Sequence, residues 1–224
     1  MVPHKGQLYA SVAGGNGYTE VWRYNNTTWE KIGGGNASYN GSWGGAYSAY
    51  GTKGMTSWKG DLYTIVESSI RGFDVWKWNG ATWASATPFG WPSSLRNAMG
   101  LTIFQDKLCT AGGGESSYEA LLVCWDGVGP WTIVGGNGSG DSWDNIIGAT
   151  MGVSVYDNKL VVAINDNNNL IVKTWDGTTW VNIGGEGLNN SWTNGDYAKS
   201  GPLYFVTYNN ALYMSTHSGS GHRL

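Results

Sequence analysis

Charge is the scarcest property of this chain. Only 13% of its 224 residues are charged, and the formal net charge is −3 at pH 7. A protein that follows a nucleic-acid backbone needs a basic face, so this balance argues against a nucleic-acid partner. No apolar run approaches the roughly 20 residues that span a bilayer, so we expect no membrane insertion. Residues 1–6 also lack the charged-then-apolar layout of a signal peptide.

Groups suited to catalysis or metal binding are equally sparse. The three histidines, His4, His217 and His222, lie near the two ends of the sequence, and no H-E-x-x-H, C-x-x-C or EF-hand pattern occurs. An enzyme needs a nucleophile, a general base or a metal cluster in one place. We therefore expect a non-catalytic protein with no cofactor and no bound metal.

Cysteine is nearly absent as well. Cys109 and Cys124 are the only two, and the strand assignment puts them on the two arms of one hairpin. Either a cross-strand disulfide or a pair of free, partly buried thiols fits this placement, because a sequence does not supply the pairing geometry. The interpretation as free thiols is favoured, so the cysteines do not decide the redox compartment.

Glycine and aromatic residues are abundant instead, with 36 Gly, 14 Trp and 13 Tyr. One phrase containing them, V-W-R-Y-N-N-T-T-W in its first copy, occurs four times, at residues 21–29, 75–83, 123–131 and 172–180. A turn followed by leucine occurs five times, with Leu8, Leu62, Leu108, Leu160 and Leu212. A period near 50 residues indicates one supersecondary unit copied along the chain.

Each repeat is predicted to contain four antiparallel strands. Dipeptides such as Lys5-Gly6, placed before the leucine, predict a hairpin between the first and second strands. Asn79-Gly80 and its counterparts predict a tight hairpin between the third and fourth strands. Four strands in about 50 residues is typical of a propeller blade, whereas a β-sandwich with coincidental self-similarity is the alternative.

The repeat resembles two known kinds of propeller repeat. Like kelch repeats, it has a second strand that runs into Gly-Gly (Gly14-Gly15, Gly112-Gly113), an aromatic residue on strand three and Trp on strand four. The aromatic-to-Trp spacing is shorter than in kelch, and the second and fourth repeats lack the first Gly-Gly. The chain is more similar to the Trp-rich V-W-x-Y-x-G-x-x-W-x-x-I-G-G propellers of bacterial and phage surface proteins, which implies a fold rather than a single function.

The expected fold is an all-β propeller of four-stranded antiparallel blades, forming a single domain over residues 1–224. Four nearly complete repeats cover about residues 1–46, 47–97, 98–148 and 149–200, and a partial fifth covers 201–218. Two forms of ring remain open: an incomplete ring of five or more blades, which is favoured, and a closed four-bladed ring. The unfinished fifth blade would leave a free strand edge, which makes self-association possible.

The long loops are predicted to meet on one face. Turns after the first and third strands are short, whereas loops after the second and fourth strands are longer, and the ends bearing these longer loops form what we call the long-loop face. Binding residues concentrate on loops carried by a rigid scaffold. Each inter-blade loop contains a tryptophan, and the candidate ligand-binding residues are Trp43, Trp91, Trp143, Trp192, Asn40, Asp141 and Asn190.

Two interpretations of the loop tryptophans remain. An indole face beside Asn, Asp and Ser can stack on the apolar side of a sugar while the polar groups bind its hydroxyls. A tryptophan at a fixed place in every repeat can also wedge between blades, and this packing role is slightly favoured. Packing is expected for the strand tryptophans, Trp29, Trp83, Trp131 and Trp180.

The function that fits best is carbohydrate binding or adhesion through the long-loop face, with a glycan or a surface protein as partner. Several weak sites on successive blades would give avidity on a glycan-coated surface. The alternative is a structural or protein-interaction propeller in a virion, a tail or a cell-surface assembly. In either case we expect an extracellular, virion or cell-surface location.

Overall fold

The chain forms two compact units, Met1–Trp91 and Pro92–Leu224. A computed structural model describes residues 1–13, 19–34, 43, 49–68, 72–87, 95, 97–113, 120–136, 142–143, 148–166, 169–185, 187–189, 191, 204–218 and 221–223. No helix among these residues is long and apolar enough to cross a membrane. The assignment of residues 1–224 to a single domain stays a prediction.

The first unit contains two four-stranded antiparallel sheets, each with its strands in chain order. Blade 1 consists of β1 (Val2–His4), β2 (Gln7–Ala13), β3 (Thr19–Tyr24) and β4 (Trp29–Gly34). Blade 2 consists of β5 (Ala49–Trp58), β6 (Asp61–Ser68), β7 (Gly72–Trp78) and β8 (Trp83–Ser85). The first two repeats therefore fold as predicted.

The second unit contains two more such sheets and two short hairpins. Blade 3 consists of β9 (Asn97–Phe104), β10 (Lys107–Gly113), β11 (Ala120–Trp125) and β12 (Thr132–Gly135). Blade 4 consists of β13 (Gly148–Tyr156), β14 (Lys159–Asp166), β15 (Asn169–Trp175) and β16 (Trp180–Gly184). The hairpins are β17 (Phe205–Tyr208) with β18 (Ala211–Met214), and β19 (Thr216–Ser218) with β20 (Gly221–Arg223). The first hairpin supplies the two predicted strands of the fifth repeat.

The turns between first and second strands confirm the sequence prediction. In all five, the two central residues have positive φ, from Lys5 and Gly6 (47° and 74°) to Asn209 and Asn210 (47° and 57°). This is the geometry of a two-residue hairpin whose twist matches the flanking strands. Each leucine landmark then lies at the second position of the second strand. Leu62, Leu108 and Leu160 are fully buried there.

The turns between third and fourth strands differ from the prediction of a tight two-residue hairpin. Tyr24 pairs with Trp29 and Trp175 pairs with Trp180, so four residues lie in each of these turns. The first turn residue organises the loop, because Asp176 Oδ1 accepts the backbone N–H groups of Thr178 and Thr179, both at 2.8 Å. Asn25, Asn79 and Asp126 accept two backbone N–H groups in the same way. The acidic or amide residue is thus needed for its side-chain oxygen.

The Asp176 loop should make part of the stability sensitive to acid. Hydrogen bonds from the Thr179 and Thr178 backbones and the Thr178 hydroxyl lower the pKa of Asp176 from 3.8 to about 2. Because the folded pKa is depressed, the ionised carboxylate contributes stability above about pH 4 that is lost as the pH falls towards 2. Asp176→Asn, which keeps the acceptor oxygen as Asn79 does, should lose less Tm than the wild type between pH 5 and pH 2.5. Equal Tm losses in both proteins would contradict this role.

The cysteine pair corrects the interpretation as free thiols. Cys109 on β10 lies directly opposite Cys124 on β11, with 4.1 Å between their Cα atoms, and the two form a disulfide. Both side chains are buried in the cluster that also holds Leu122 and Leu160. The sequence placed the residues on one hairpin correctly, but the choice between thiols and disulfide depended on the strand register.

Candidate functional site

The two described loop tryptophans lie in the core. Trp43 and Trp143 are 3% and 4% exposed, respectively. The indole N–H of Trp43 donates to the carbonyl of Thr19, and that of Trp143 donates to the carbonyl of Ala120, both at 3.0 Å. Thr19 and Ala120 are the first residues of β3 and β11, so both indoles occupy the same place in their blades. Burial and a satisfied N–H leave neither ring available for stacking on a sugar.

Each of these indoles also packs against tryptophan from the following blade. The Trp43 ring centroid lies 5.4 Å from that of Trp76 and 5.2 Å from that of Trp83. The Trp143 centroid lies 5.3 Å from that of Trp180, with the rings nearly perpendicular. The packing explains a glycine at the end of the fourth strand, because a Cβ at Gly135 would lie 2.7 Å from the Trp143 ring. These contacts agree with the packing interpretation for both residues.

The remaining candidate ligand-binding residues lie outside the described residues. They are Trp91, Trp192, Asn40, Asp141 and Asn190. The predicted site as a set therefore stays a prediction. The structure does show the role of the serine in the repeated Ser-Trp pair.

The serine in the Ser-Trp pair anchors the loop, which the sequence interpretation missed. Ser142 Oγ accepts the backbone N–H of Gly136 and donates to its carbonyl, both at 2.8 Å, and Ser142 is fully buried. Ser191 repeats the arrangement with the N–H of Gly185 at 3.2 Å and with its carbonyl. The equal six-residue spacing from Gly-Gly to Ser in both repeats was the available signal.

The anchors bracket two short segments of the sequence. Residues 137–141 lie between Gly136 and Ser142, and residues 186–190 lie between Gly185 and Ser191. Asp141 and Asn190 immediately precede the anchoring serines. The hydrogen bonds between serine and glycine thus tie the residue after each segment to the residue before it, at the end of a fourth strand.

The strand tryptophans divide into two groups. Trp83 donates to the carbonyl of Ile32 at 2.9 Å, and Trp180 donates to that of Val134 at 3.3 Å, so each bridges to the preceding blade. Trp131 is also buried, at 4% exposed. Trp29 departs from the predicted packing role, since 44% of it is exposed. Its indole instead lines a groove on the surface of its own blade.

The described titratable groups do not converge on one place. His4 is buried, with Nδ1 2.7 Å from Ser57 Oγ, and burial together with Lys5 lowers its pKa despite an opposing effect of Asp61. Among the described residues there is no group of three or more His, Cys, Asp or Glu side chains that could hold a metal ion.

Comparison with solved structures identifies the architecture. The SapL1 lectin in complex with α-methyl fucoside superposes with a TM-score of 0.57 at 12% identity, covering 96% of this chain and 74% of that chain. The fungal lectin of Aleuria aurantia, described as a six-bladed β-propeller with a novel fucose recognition mode, gives 0.50 at 13%, covering 95% and 72%. This chain has a β-propeller fold.

The same fold also occurs in proteins of other kinds. A putative oxidoreductase (glucose dehydrogenase) from Thermus thermophilus superposes on this propeller with a TM-score of 0.54 at 16% identity, covering 94% of this chain and 73% of that chain. No protein-family model matches the sequence, and comparison with curated proteins finds no similar sequence. The structural likeness therefore establishes the fold alone, and the resemblance to kelch repeats stays a prediction.

Proposed function

We propose that this propeller is a non-catalytic module that binds carbohydrate through its long-loop face. The observation that carries the proposal is the serine anchor at Ser142 and Ser191, which holds a short polar loop at the same place in successive blades. The fucose-binding propellers with which the chain shares its fold support the choice of ligand class.

The chemistry of the loop segments suits a sugar. Asp141 offers carboxylate oxygens and Asn190 offers both an amide donor and an acceptor, which match the mixed donor and acceptor character of sugar hydroxyls. Asn40 lies two residues before Ser42 in the first inter-blade loop and offers the same amide groups. Trp91 and Trp192 are the remaining candidates for aromatic stacking, since Trp43 and Trp143 are buried.

An extracellular, virion or cell-surface location is consistent with the disulfide. The Cys109–Cys124 bond closes a buried hairpin of blade 3. Disulfides persist mainly in oxidising environments, including secreted proteins and virion or cell surfaces. We include this location in the proposal, because glycans that such a module would bind are displayed there.

The decisive test compares loop variants on a panel of immobilised glycans, followed by titration calorimetry with the best sugar. Asp141→Ala should weaken binding about tenfold or more, because a hydrogen bond to a charged group contributes about 1.5–3 kcal/mol. Asn190→Ala should weaken it about two- to tenfold, because a hydrogen bond between neutral groups contributes about 0.5–1.5 kcal/mol. The matched control is Asn182→Ala, an exposed residue on β16 outside both anchored segments.

Two results would contradict the carbohydrate proposal. One is a blank glycan panel with protein whose circular dichroism and Tm show that it is folded. The other is sugar binding that Asp141→Ala, Asn190→Ala and Asn182→Ala all leave unchanged, which would remove the site from the anchored loops.

A structural or protein-interaction propeller is the second candidate. It is favoured by large hydrophobic side chains exposed at both ends of the described chain, on blade 1 and on the β17–β18 hairpin. Large exposed apolar patches are rare on monomeric soluble proteins, and they commonly mark interaction surfaces. Self-association through the incomplete fifth repeat belongs to this second candidate.

A further inference from the structure

One position on the second strand is buried in every complete blade and exposed in the β17–β18 hairpin. It follows the landmark leucine directly. The residues there in blades 1 to 4 are Tyr9, Tyr63, Cys109 and Val161, which are 3%, 3%, 0% and 0% exposed. Tyr213 holds this position on β18 and is 45% exposed. The fifth repeat therefore presents a face that its counterparts hide.

The tryptophan at or directly before the start of the fourth strand shows the opposite trend in exposure: it is exposed in blade 1 and more buried in the later blades. Trp83 and Trp131 are each 4% exposed, and Trp180 is half-buried. Trp29 in blade 1 is 44% exposed. The face that is buried in later blades is therefore open in blade 1.

These two positions belong to the same buried cluster in both pairs of consecutive blades that lie inside one unit. Tyr9 of blade 1 and Trp83 of blade 2 belong to one buried cluster, together with Leu62 and Val66. In the second unit, Cys109 of blade 3 shares a cluster with Trp180 of blade 4. The face that carries Tyr213 is thus the repeat counterpart of the surface that packs against a Trp29-type face.

The exposed face of the hairpin is apolar, and the strand register determines which side chains lie on it. Val206 pairs with Tyr213, and the two are 57% and 45% exposed. Tyr208 adds a third exposed side chain, with its ring centroid 6.4 Å from that of Tyr213. The opposite face carries Phe205 and Leu212, which pack on blade 4, so it is already occupied.

The exposed face of blade 1 forms a groove that is mainly apolar, like the exposed face of the hairpin. Its volume is about 380 Å³, and it is lined by Met1, Ala10, Val12, Glu20, Trp22 and Trp29. Val12 is 46% exposed. Glu20 is held at the rim, where its carboxylate accepts the indole N–H of Trp22 at 2.9 Å and pairs with Lys31 at 3.2 Å. The groove therefore offers aromatic and aliphatic walls with its charge already paired.

We propose that the chain self-associates head to tail, with the outer face of β17–β18 of one copy seated in the blade 1 groove of a second copy. The contact would place Tyr213 against Trp29 as Tyr9 lies near Trp83 within the chain. A second copy is the occupant because it carries the complementary surface, built from the same pair of repeat positions. The contact is heterologous, so an open assembly keeps one free groove and one free hairpin face, at its two ends, until a ring closes.

The test uses two variants that each destroy one face. Wild-type protein, without sugar, should show a mass above the 24.1 kDa of one chain by sedimentation velocity and light scattering over about 1–100 μM. Trp29→Arg and Tyr213→Arg should each be monomeric alone. An equimolar mixture should form a complex of two chains, because the first variant keeps its hairpin face and the second keeps its groove. Val181→Arg, at a strand residue 51% exposed outside both faces, should behave as wild type.

Three outcomes would overturn the proposal. A wild type that is monomeric throughout would mean that no second copy covers the groove. A mixture of the two arginine variants that stays monomeric would also reject it. Association lost in Trp29→Arg but kept in Tyr213→Arg would indicate a groove-to-groove contact. Circular dichroism and Tm of each variant establish that it is folded, and the absence of sugar keeps the result independent of glycan binding.

Discussion

Replacing Trp143 with alanine is expected to lower the free energy of unfolding by about 3–5 kcal/mol. The side chain is 4% exposed, packs edge-on against Trp180 and donates its N–H to the Ala120 carbonyl. Removing it leaves a cavity between two blades and takes away the hydrogen bond to the Ala120 carbonyl, and both effects lower stability. Urea unfolding followed by circular dichroism measures the change.

Two comparison variants separate packing from a general effect of substitution. Trp143→Phe keeps much of the ring volume and loses the hydrogen bond, so it should cost less than Trp143→Ala. Val181→Ala, at a residue 51% exposed, should change stability by less than about 0.5 kcal/mol. If Trp143→Ala costs under about 1 kcal/mol, the wedge role is wrong. Loss of ligand binding in Trp143→Ala would report unfolding and would say nothing about contact with a sugar.

Removing the disulfide is expected to cost about 3 kcal/mol. Cys109 and Cys124 are 15 residues apart, and a cross-link closing a loop of that length restricts the unfolded chain by about this amount. The double variant Cys109→Ala/Cys124→Ala should therefore unfold at lower urea than the wild type. Mild cavity costs add to the loss, because both positions are buried in the blade 3 and blade 4 cluster.

Reduction provides the matching control for the disulfide. Dithiothreitol should destabilise the wild type and leave the alanine variant unchanged. Mass spectrometry after iodoacetamide treatment in urea should find neither cysteine alkylated unless reductant is added first. Alkylation of both thiols without reductant would show that the bond does not form in the protein.

The blade repeat could be predicted from sequence because it depends on local rules. Lys5-Gly6 and Asn209-Asn210 sit at positions that require positive φ, and the structure has two-residue turns at both. Leu62 and its counterparts follow the turn at a fixed distance, so the inward side of the second strand was also predictable. In the third copy the phrase begins one residue earlier than the sequence pattern predicts, since Leu122, and not Val123, has the register position of Val21.

The site could not be predicted to the same depth because tryptophan serves packing and binding equally well in a sequence. Trp43 and Trp143 have the loop setting of a ligand residue, yet their indoles point into the space beside Trp83 and Trp180. Burial of a loop residue depends on the neighbouring blade, which is about 50 residues away in the sequence. The sequence likewise could not distinguish a disulfide from two free thiols, because that depends on which residues of β10 and β11 face each other.

The serine anchors fix the two ends of a loop without using the side chains in its middle. Ser142 and Trp143 hold one end of the segment and Gly136 holds the other, through bonds that involve none of the intervening side chains. We therefore expect substitutions at 137–141 to leave these anchoring bonds in place. Under the proposed function, the loops of blades 3 and 4 could each change the ligand they recognise while the bonds that anchor them stay the same.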